Sequence, residues 1–312
     1  MYLLDCDTGV DDAVAILHLL GSGAPLAAVT VTFGNVSAAQ AAENTLRVLH
    51  LAGRSDVPVA VGGESTLDGS PTRHSATLVH GANGLGGAEL EPSPAALLDE
   101  AAPELIVRLA HEQAGELRII ATGGFTNLAR ALELDPAIAG LVHEVTLMGG
   151  AALVPGNVTP SAEANIVADP LAAAAVLGAG WPVVLVPLDV TMTHLIEHDD
   201  WQRLADAGGV AGSAAAVLDG YLDFYAGIIG RRCAAMHDAL AVAIALGEIE
   251  PELAPRAHVE VDVTDGPGRG RTIADLRHRY RGYAPPVDSP VRVVLEARTP
   301  LVPSLVERIL SF

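Results

Sequence analysis

The sequence predicts an α/β fold in which helices cover a mostly parallel central sheet. Short runs rich in β-branched residues alternate with longer Ala- and Leu-rich runs, and this alternation is typical of strand–helix–strand units. Hydrophobic residues make up 50% of the 312 residues but aromatic residues only 4%. A core of small aliphatic side chains suits helices that pack closely on a parallel sheet.

Six runs predict the strands of this sheet in chain order, and two more follow near the end: 1–4, 27–33, 57–61, 117–121, 145–148 and 183–188, then 258–263 and 292–295. Polar or glycine residues follow most of these runs, including aspartates after the first and Asp189 after the sixth. Because open α/β sheets bind ligands beyond the carboxyl ends of their strands, we expect the active site at that edge. The glycine-rich stretch 266–270 predicts a hairpin turn rather than a phosphate-binding loop.

The composition excludes several kinds of partner and mechanism. All 18 basic residues are arginine, which excludes mechanisms that need a Schiff-base lysine or a P-loop lysine. The net charge of -20 at pH 7 repels phosphate backbones and anionic membranes. We therefore expect neither a nucleic acid polymer nor a membrane as a partner.

The longest uncharged run, 171–188, is broken by two glycines and by Pro182. It predicts a helix, a turn and a strand rather than a membrane span. The chain has only two cysteines, Cys6 and Cys233, and no apolar leader before the first aspartate. We therefore expect a cytoplasmic protein without disulfide bonds.

Four aspartates lie within eight residues at the start of the chain: Asp5, Asp7, Asp11 and Asp12. Carboxylates crowded at a strand end repel one another unless a cation neutralises them, and the apolar residues on both sides argue against a merely solvated charge run. Hard oxygen ligands favour Mg²⁺ or Ca²⁺ over zinc. The alternative, an acidic helix start favoured by the helix dipole, accounts only for the last two aspartates.

A second polar group lies in the segment 156–170, which is otherwise apolar. Asn157, Glu163 and Asn165 place two amides and a carboxylate there. Such side chains on a short irregular loop are suited to bind a polyhydroxylated ligand such as a sugar. The alternative is a turn with a helix cap at Asp169, and for that residue alone the cap is favoured.

A third group is the pair His237-Asp238 at the start of an apolar helix. Asp238 could cap the helix, and histidines near helix ends are commonly structural. The same pair could instead supply a carboxylate to a metal and an imidazole to a proton transfer. The pair alone does not decide between these roles.

Taken in order along nearly the whole chain, these segments resemble the inosine–uridine-preferring nucleoside hydrolase family. The matching motifs are DCDTGVDD at 5–12, FGN at 33–35, HGANGLG at 80–86, ATGGFTNLA at 121–129, MGG at 148–150, the segment 156–170, and MHD at 236–238. Any one of them has little specificity, but several in the same order are a specific signal.

The resemblance implies a single Rossmann-like domain over residues 1–312, with one Ca²⁺ at the bottom of a ribose pocket. By position, Asp7, Asp12 and Asp238 correspond to carboxylate ligands of the ion, and Thr122 to a residue that lends its backbone carbonyl. The positions that correspond to ribose-binding residues are Asp11, Asn35, Asn157, Glu163 and Asn165. His80 and His237 correspond to positions at the nucleobase end, and Asp5 to a position behind the ligands.

The implied reaction is calcium-dependent hydrolysis of the N-glycosidic bond of a ribonucleoside. Asp7 would take a proton from the metal-bound water that attacks the anomeric carbon, through an oxocarbenium-like transition state. His237 is the available acid for the leaving base. Relatives are commonly homodimers or homotetramers, so we expect a homo-oligomer.

The segment 219–232 corresponds to a variable region that closes over the base in relatives. Its residues Tyr221 and Tyr225 are spaced to share a helix face, where they could stack on a base or pack in the core. The preference for purine or pyrimidine bases therefore stays open at this point.

Two other hypotheses compete with the hydrolase. The start Asp5-Cys6-Asp7-Thr8 also fits haloacid-dehalogenase-type phosphatases, with Asp5 as nucleophile beside Mg²⁺. That mechanism usually needs a lysine, and it gives no role to the 157–165 loop or to the pair at 237–238. A non-catalytic nucleoside- or ribose-binding protein is the other hypothesis, but it would not need a base beside a metal-bound water.

Overall fold

The computed structural model describes residues 1–72, 76–279, 282–284 and 288–312. The strands are β1 Tyr2–Cys6, β2 Leu26–Val31, β3 Val59–Val61, β4 Arg118–Ala121, β5 Glu144–Met148, β6 Val183–Val186, β7 Leu195–Glu197, β8 Cys233–Ala235, β9 Val259–Val261, β10 Thr272–Ala274 and β11 Val291–Val293. The helices are α1 Val10–Gly21, α2 Ala38–Leu51, α3 Thr77–His80, α4 Ala102–Glu112, α5 Thr126–Leu134, α6 Ala164–Ala168, α7 Pro170–Gly178, α8 Leu188–Thr191, α9 His198–Ala207, α10 Gly209–Ile229, α11 His237–Ala245 and α12 Val302–Leu310.

Seven strands form one sheet in the order β11-β6-β5-β4-β1-β2-β3. Every pair in it is parallel. The predicted α/β class with a mostly parallel sheet is therefore confirmed, and each of the eight predicted runs contains or overlaps a strand. The predicted hairpin is also confirmed, since β9 and β10 pair antiparallel on either side of residues 266–270.

Successive residues of the strands face opposite sides of the sheet. Leu4 and Ile120 belong to one hydrophobic cluster and Leu3 and Ile119 to the other, as the two-residue period of a strand requires. The first cluster packs α1, α2, α10, α11 and α12 on one face, and the second packs α4, α5 and α7 on the other. Both faces of the central sheet are thus buried, which explains why its strands are continuous apolar runs in the sequence.

Helix α1 is buried on all sides, because every residue from Val10 to Leu20 is buried. It packs against α11 and also contacts α12. This packing brings the first turn of α1 beside the first turn of α11. The acidic residues of the two ends of the chain therefore meet above the carboxyl end of β1.

Two features depend on local interactions. Asp169 caps α7 by accepting a hydrogen bond from the backbone N–H of Ala172 at 3.1 Å, with Pro170 as the first helical residue, which confirms the predicted cap. The antiparallel pair β7–β8 was not predicted. Within the described ranges, no helix is both long and apolar enough to cross a lipid bilayer.

Candidate active site

The carboxyl ends of the parallel strands border one cavity of about 540 Å³. Eleven of the thirteen predicted site residues line it: Asp11, Asn35, His80, Thr122, Asn157, Glu163, Asn165, Tyr221, Tyr225, His237 and Asp238. The other two, Asp7 and Asp12, are buried and contact the lining residue Asn35. The site therefore lies at the predicted edge of the sheet.

The floor of the cavity holds a cluster of carboxylates. One oxygen each from Asp11, Asp12 and Asp238 lies within 4.8 Å of the others, and all three residues are buried. Asp12 and Asp238 were predicted as ligands of an ion, whereas Asp11 was predicted to bind the ribose. Asp7, also a predicted ligand, is not in this group of three, but its carboxylate lies close to that of Asp12 and shares the Asn35 amide with it as a hydrogen-bond donor.

Asn35 joins Asp7 to this cluster. Its backbone N–H donates to Asp7 Oδ2 at 2.7 Å, and its side-chain Nδ2 donates to Asp7 Oδ1 at 3.0 Å and to Asp12 Oδ2 at 3.1 Å. A Cβ on Gly34 would overlap the Asp7 carboxylate, so the glycine leaves the room that this carboxylate occupies. The FGN motif thus orients two acidic side chains at once.

Asp12 is held from two further directions. The backbone N–H of Gly9 donates to Oδ2 at 2.8 Å and the Thr122 hydroxyl donates to Oδ1 at 2.7 Å. The backbone carbonyl of Thr122 accepts from Asn165 Nδ2 at 2.8 Å. A carbonyl oxygen has a second lone pair, so this contact is compatible with the predicted role of Thr122 as a ligand.

The electrostatics of the cluster suit a bound cation. Burial, followed by repulsion from neighbouring carboxylates, raises the pKa of Asp7 and Asp238 well above the ordinary range and that of Asp11 to about 7. Burial also raises the pKa of Asp12. Oxygen Oδ1 of Asp11 is buried and accepts no hydrogen bond from the part of the chain that the structure describes. An unpaired oxygen among buried carboxylates fits a hard divalent cation, which would reverse these shifts.

The loop between β5 and α7 supplies the wall beside the cluster. Glu163 is buried, and its carboxylate accepts from the backbone N–H groups of Gly150 at 2.9 Å, Asn165 at 2.9 Å and Ile166 at 3.2 Å. Burial raises the pKa of Glu163 to about 7, although these N–H groups oppose the shift. Oδ1 of the exposed Asn157 accepts from the backbone of Ala164 at 3.0 Å.

Asn165 has a defined orientation. Its Nδ2 donates to the carbonyl oxygens of Thr122 at 2.8 Å and Met148 at 3.0 Å. Both N–H groups are thereby used, so the amide presents its Oδ1 as an acceptor. An acceptor at this position suits a hydroxyl group of a ligand that rests on the carboxylate cluster.

Aromatic and imidazole rings form another part of the cavity lining, which contacts the carboxylate cluster. The Tyr221 hydroxyl donates to Asp11 Oδ2 at 3.3 Å, and its ring lies 5.0 Å from that of Tyr225 in an edge-to-face arrangement. Both tyrosines line the cavity and both belong to the hydrophobic core. The two roles that the sequence left open for them are therefore compatible.

His237 lies between two hydroxyl groups. Its Nε2 is 2.6 Å from the Tyr225 hydroxyl and its Nδ1 is 2.7 Å from the Thr191 hydroxyl. Burial lowers the pKa of His237 to about 4. His80, at the same end, accepts a hydrogen bond on Nδ1 from the backbone N–H of Val10 at 3.1 Å.

Sequence reasoning missed two residues that support this end of the site. Thr191 orients His237, and no pattern in a short helix marks such a threonine. Asp189 accepts from the backbone N–H groups of Ala152 at 2.8 Å and Leu153 at 2.7 Å. It thereby holds the loop that carries the mouth residues Val154 and Val158. Its position after β6 was the available signal.

Asp5 lies behind the site. It is fully buried and does not line the cavity, and its Oδ1 accepts from Thr30 at 2.7 Å and Asn127 at 2.8 Å. Burial raises its pKa to about 7. A carboxylate without access to a substrate cannot serve as the nucleophile that the phosphatase hypothesis requires.

Residues 2–301 match the model of a family described as inosine-uridine preferring nucleoside hydrolase. The chain belongs to this family. Membership makes it a hydrolase that acts on N-glycosyl bonds, as the resemblance implied, and leaves the phosphatase hypothesis without support.

Similar proteins cover most of this nucleoside hydrolase. A probable uridine nucleosidase 2 of Arabidopsis thaliana is 38% identical over 72% of this chain and 70% of its own length. The inosine-uridine preferring nucleoside hydrolase of Crithidia fasciculata is 36% identical over 88% of both chains. Among solved structures, a purine-preferring ribonucleoside hydrolase from Gardnerella vaginalis superposes with a TM-score of 0.90 at 31% identity, covering 99% of this chain and 98% of the other.

The carboxylate cluster predicts that a hard divalent cation stabilises the fold. Adding Ca²⁺ or Mg²⁺ to chelator-treated protein should raise the melting temperature, because binding to the folded state alone contributes ~2.7 kcal/mol when the free ion is at a hundredfold excess over its dissociation constant. Differential scanning calorimetry measures the shift. Asp12→Asn should abolish it, whereas Asp199→Asn, at an exposed position, should leave it intact. Equal melting temperatures with and without either ion would contradict the ion site.

Proposed function

We propose that this nucleoside hydrolase binds one Ca²⁺ in the carboxylate cluster and hydrolyses ribonucleosides to ribose and free base. The observation that carries the proposal is the set of side chains around one cavity. It is lined by carboxylates from both ends of the chain, by the amide and carboxylate oxygens of the 157–165 segment, and by tyrosine and histidine rings. These three groups suit an ion, a sugar and a base respectively.

Ca²⁺ is the ion we propose because it accepts about 6–8 oxygen ligands in irregular geometry. Asp7, Asp12 and Asp238 would hold it together with the Thr122 carbonyl, and Asp11 adjoins them. When bound, the ion would neutralise the carboxylates, orient two ribose hydroxyls and make a coordinated water more acidic. The remaining steps depend on side chains of this chain.

Asp7 is the proposed general base. Asn35 holds both of its oxygens in place at 2.7 and 3.0 Å, so the carboxylate has a fixed direction. A carboxylate held in a fixed position beside the bound water is suited to take a proton from the water that attacks the anomeric carbon.

Cleavage of the glycosidic bond leaves positive charge on the ribose ring. The acidic side chains of the floor and the Oδ1 acceptor of Asn165 present negative or partly negative oxygens to that charge. They stabilise an oxocarbenium-like transition state more than the neutral substrate, and only such a difference accelerates the reaction. The acidic side chains that suit a cation therefore also stabilise the transition state.

The leaving base needs a proton, and we assign its delivery to Tyr225 and His237 together. Burial keeps the His237 imidazole neutral at neutral pH, because its pKa is about 4. A neutral imidazole is a weak acid by itself. Its Nε2 lies 2.6 Å from the Tyr225 hydroxyl, so the hydroxyl can give its proton to the base while an Nε2–H of the imidazole stabilises the phenolate that remains, which water then reprotonates.

Two further expectations accompany this proposal. Both cysteines are buried and unbridged, as a protein of the reducing cytoplasm would have them. The resemblance also implies a homodimer or homotetramer in solution, and no residue of this chain is assigned to an interface.

A direct assay tests the function. Incubation with uridine, inosine and a generic phosphate ester should release base from a nucleoside and no phosphate from the ester. Chelation should stop the release and Ca²⁺ should restore it. The matching 2′-deoxynucleosides should be slower by about 10² or more, because a site built to hold a hydroxyl rejects an analogue without it. Measurable nucleoside affinity without base release would favour a binding protein, and release of phosphate alone would favour a phosphatase.

Asp7→Asn should leave the fold intact and lower kcat by about 10²–10⁴, the usual contribution of a general base. Steady-state release of uracil or hypoxanthine measures the loss, and circular dichroism checks the fold. Asp199→Asn is the matched control for the removal of one carboxylate. Near-normal hydrolysis by Asp7→Asn would show that another group accepts the proton.

His237→Ala and Tyr225→Phe should both be most harmful for substrates with poor leaving groups. The ratio of kcat/KM for inosine to that for 4-nitrophenyl β-D-ribofuranoside should fall in both variants, because nitrophenolate leaves without a proton donor. The two variants should give similar ratios, since they interrupt one pair. An equal loss on both substrates would argue against an acid role.

A further inference from the structure

Two loops of the site meet on one side chain of α2. The acidic loop, residues 7–10, leads from β1 into α1, and the base-end loop, residues 80–86, follows α3. Asn44 Nδ2 donates to the backbone carbonyl of Thr8 at 3.0 Å and to that of Asn83 at 2.9 Å. One amide group therefore connects the ion end of the site to its base end.

The orientation of this amide is determined. Asn44 is 1% exposed, and its Oδ1 accepts from Gln40 Nε2 at 3.0 Å. Both N–H groups of the Asn44 amide donate to the two loop carbonyls. Asn44 does not line the catalytic cavity, so any effect it has on the reaction passes through the loops.

The base-end loop is shaped to approach Asn44. Gly84 has φ of +79°, and a Cβ there would lie 2.8 Å from Asn44 Nδ2 and 3.3 Å from the Thr8 carbonyl. Glycine is needed both for this backbone conformation and for the close approach. A second link between the loops is the hydrogen bond from Val10 to His80 Nδ1.

The next residue of α2 makes a contrasting contact. The Thr45 hydroxyl lies 2.6 Å from the Thr8 hydroxyl and donates to Ala41 of its own helix at 2.8 Å. Thr45 is buried, like Asn44. It contacts the acidic loop through a side chain and, among the residues that the structure describes, makes no hydrogen bond to the base-end loop, so it is a matched control for the removal of a buried polar group.

We propose that Asn44 is a positioning residue that fixes the position of the acidic loop relative to the base-end loop. Its loss would displace the Asp7–Asp12 segment and the His80 segment together. The inference rests on the proposed function, because it assigns the two loops to the ion and to the base. Supporting groups behind metal ligands typically contribute about 10–100-fold to ion affinity or activity.

The test compares Asn44→Leu with Thr45→Val in the full-length protein. The readouts are kcat/KM for uridine and inosine, kcat/KM for 4-nitrophenyl β-D-ribofuranoside, Ca²⁺ affinity by titration calorimetry, and the melting temperature. Asn44→Leu should lower Ca²⁺ affinity and nitrophenyl riboside hydrolysis by about 10-fold or more, and nucleoside hydrolysis further, because only the nucleoside uses the base end. Thr45→Val should change all three by less than about threefold.

Gln40→Leu keeps the test decisive if Asn44→Leu does not fold. It leaves Asn44 in place but removes the bond that orients the amide, so it should give a smaller loss with the same pattern. The proposal is overturned if the folded Asn44→Leu protein, or Gln40→Leu in its place, stays within about threefold of wild type in ion affinity and activity. It is also overturned if Thr45→Val reproduces the same pattern of losses. Failure of the wild-type protein to release base would instead refute the proposed function.

Discussion

Repulsion among buried carboxylates is the constraint on which the rest of this structure depends. Asp7, Asp11, Asp12 and Asp238 are all buried and all have raised pKa values. Burying like charges opposes folding unless a counter-charge is bound. The protein supplies N–H and O–H donors to several of these oxygens, but none of the described residues donates a hydrogen bond to Asp11 Oδ1. The carboxylates therefore form a group of oxygens that could hold a metal ion.

The architecture follows from the need to bring these acids together. A completely buried α1 delivers Asp11 and Asp12, and its packing on α11 adds Asp238 from more than 220 positions further along the chain. The β7–β8 pair contributes as well, because the backbone N–H of Met236 donates to the His194 carbonyl at 3.0 Å directly before His237. The carboxylate cluster and the His237 imidazole thus belong to one packed unit.

The sequence predicted the sheet better than it predicted the details of the site. Apolar runs with clear ends identify even three-residue strands such as β3, but β8 is Cys-Ala-Ala and β7 ends in a glutamate, so neither contains a run of β-branched residues. The resemblance placed the right residues around one cavity. It could not show that Asp11 lies within the carboxylate group, because that depends on how α1 packs against α11. Asn44 and Thr191 carry no pattern, since each acts through a hydrogen bond to a distant segment.

The hydrogen bonds that Asp189 accepts from the loop backbone have an evolutionary consequence. This carboxylate fastens the loop of Val154 and Val158 to the start of α8, whereas the carboxylates of the floor are held by α1 and α11. Amino acids at the entrance can therefore be exchanged over generations without disturbing the catalytic floor. The shape of the entrance can thereby diverge while the carboxylate cluster is inherited unchanged.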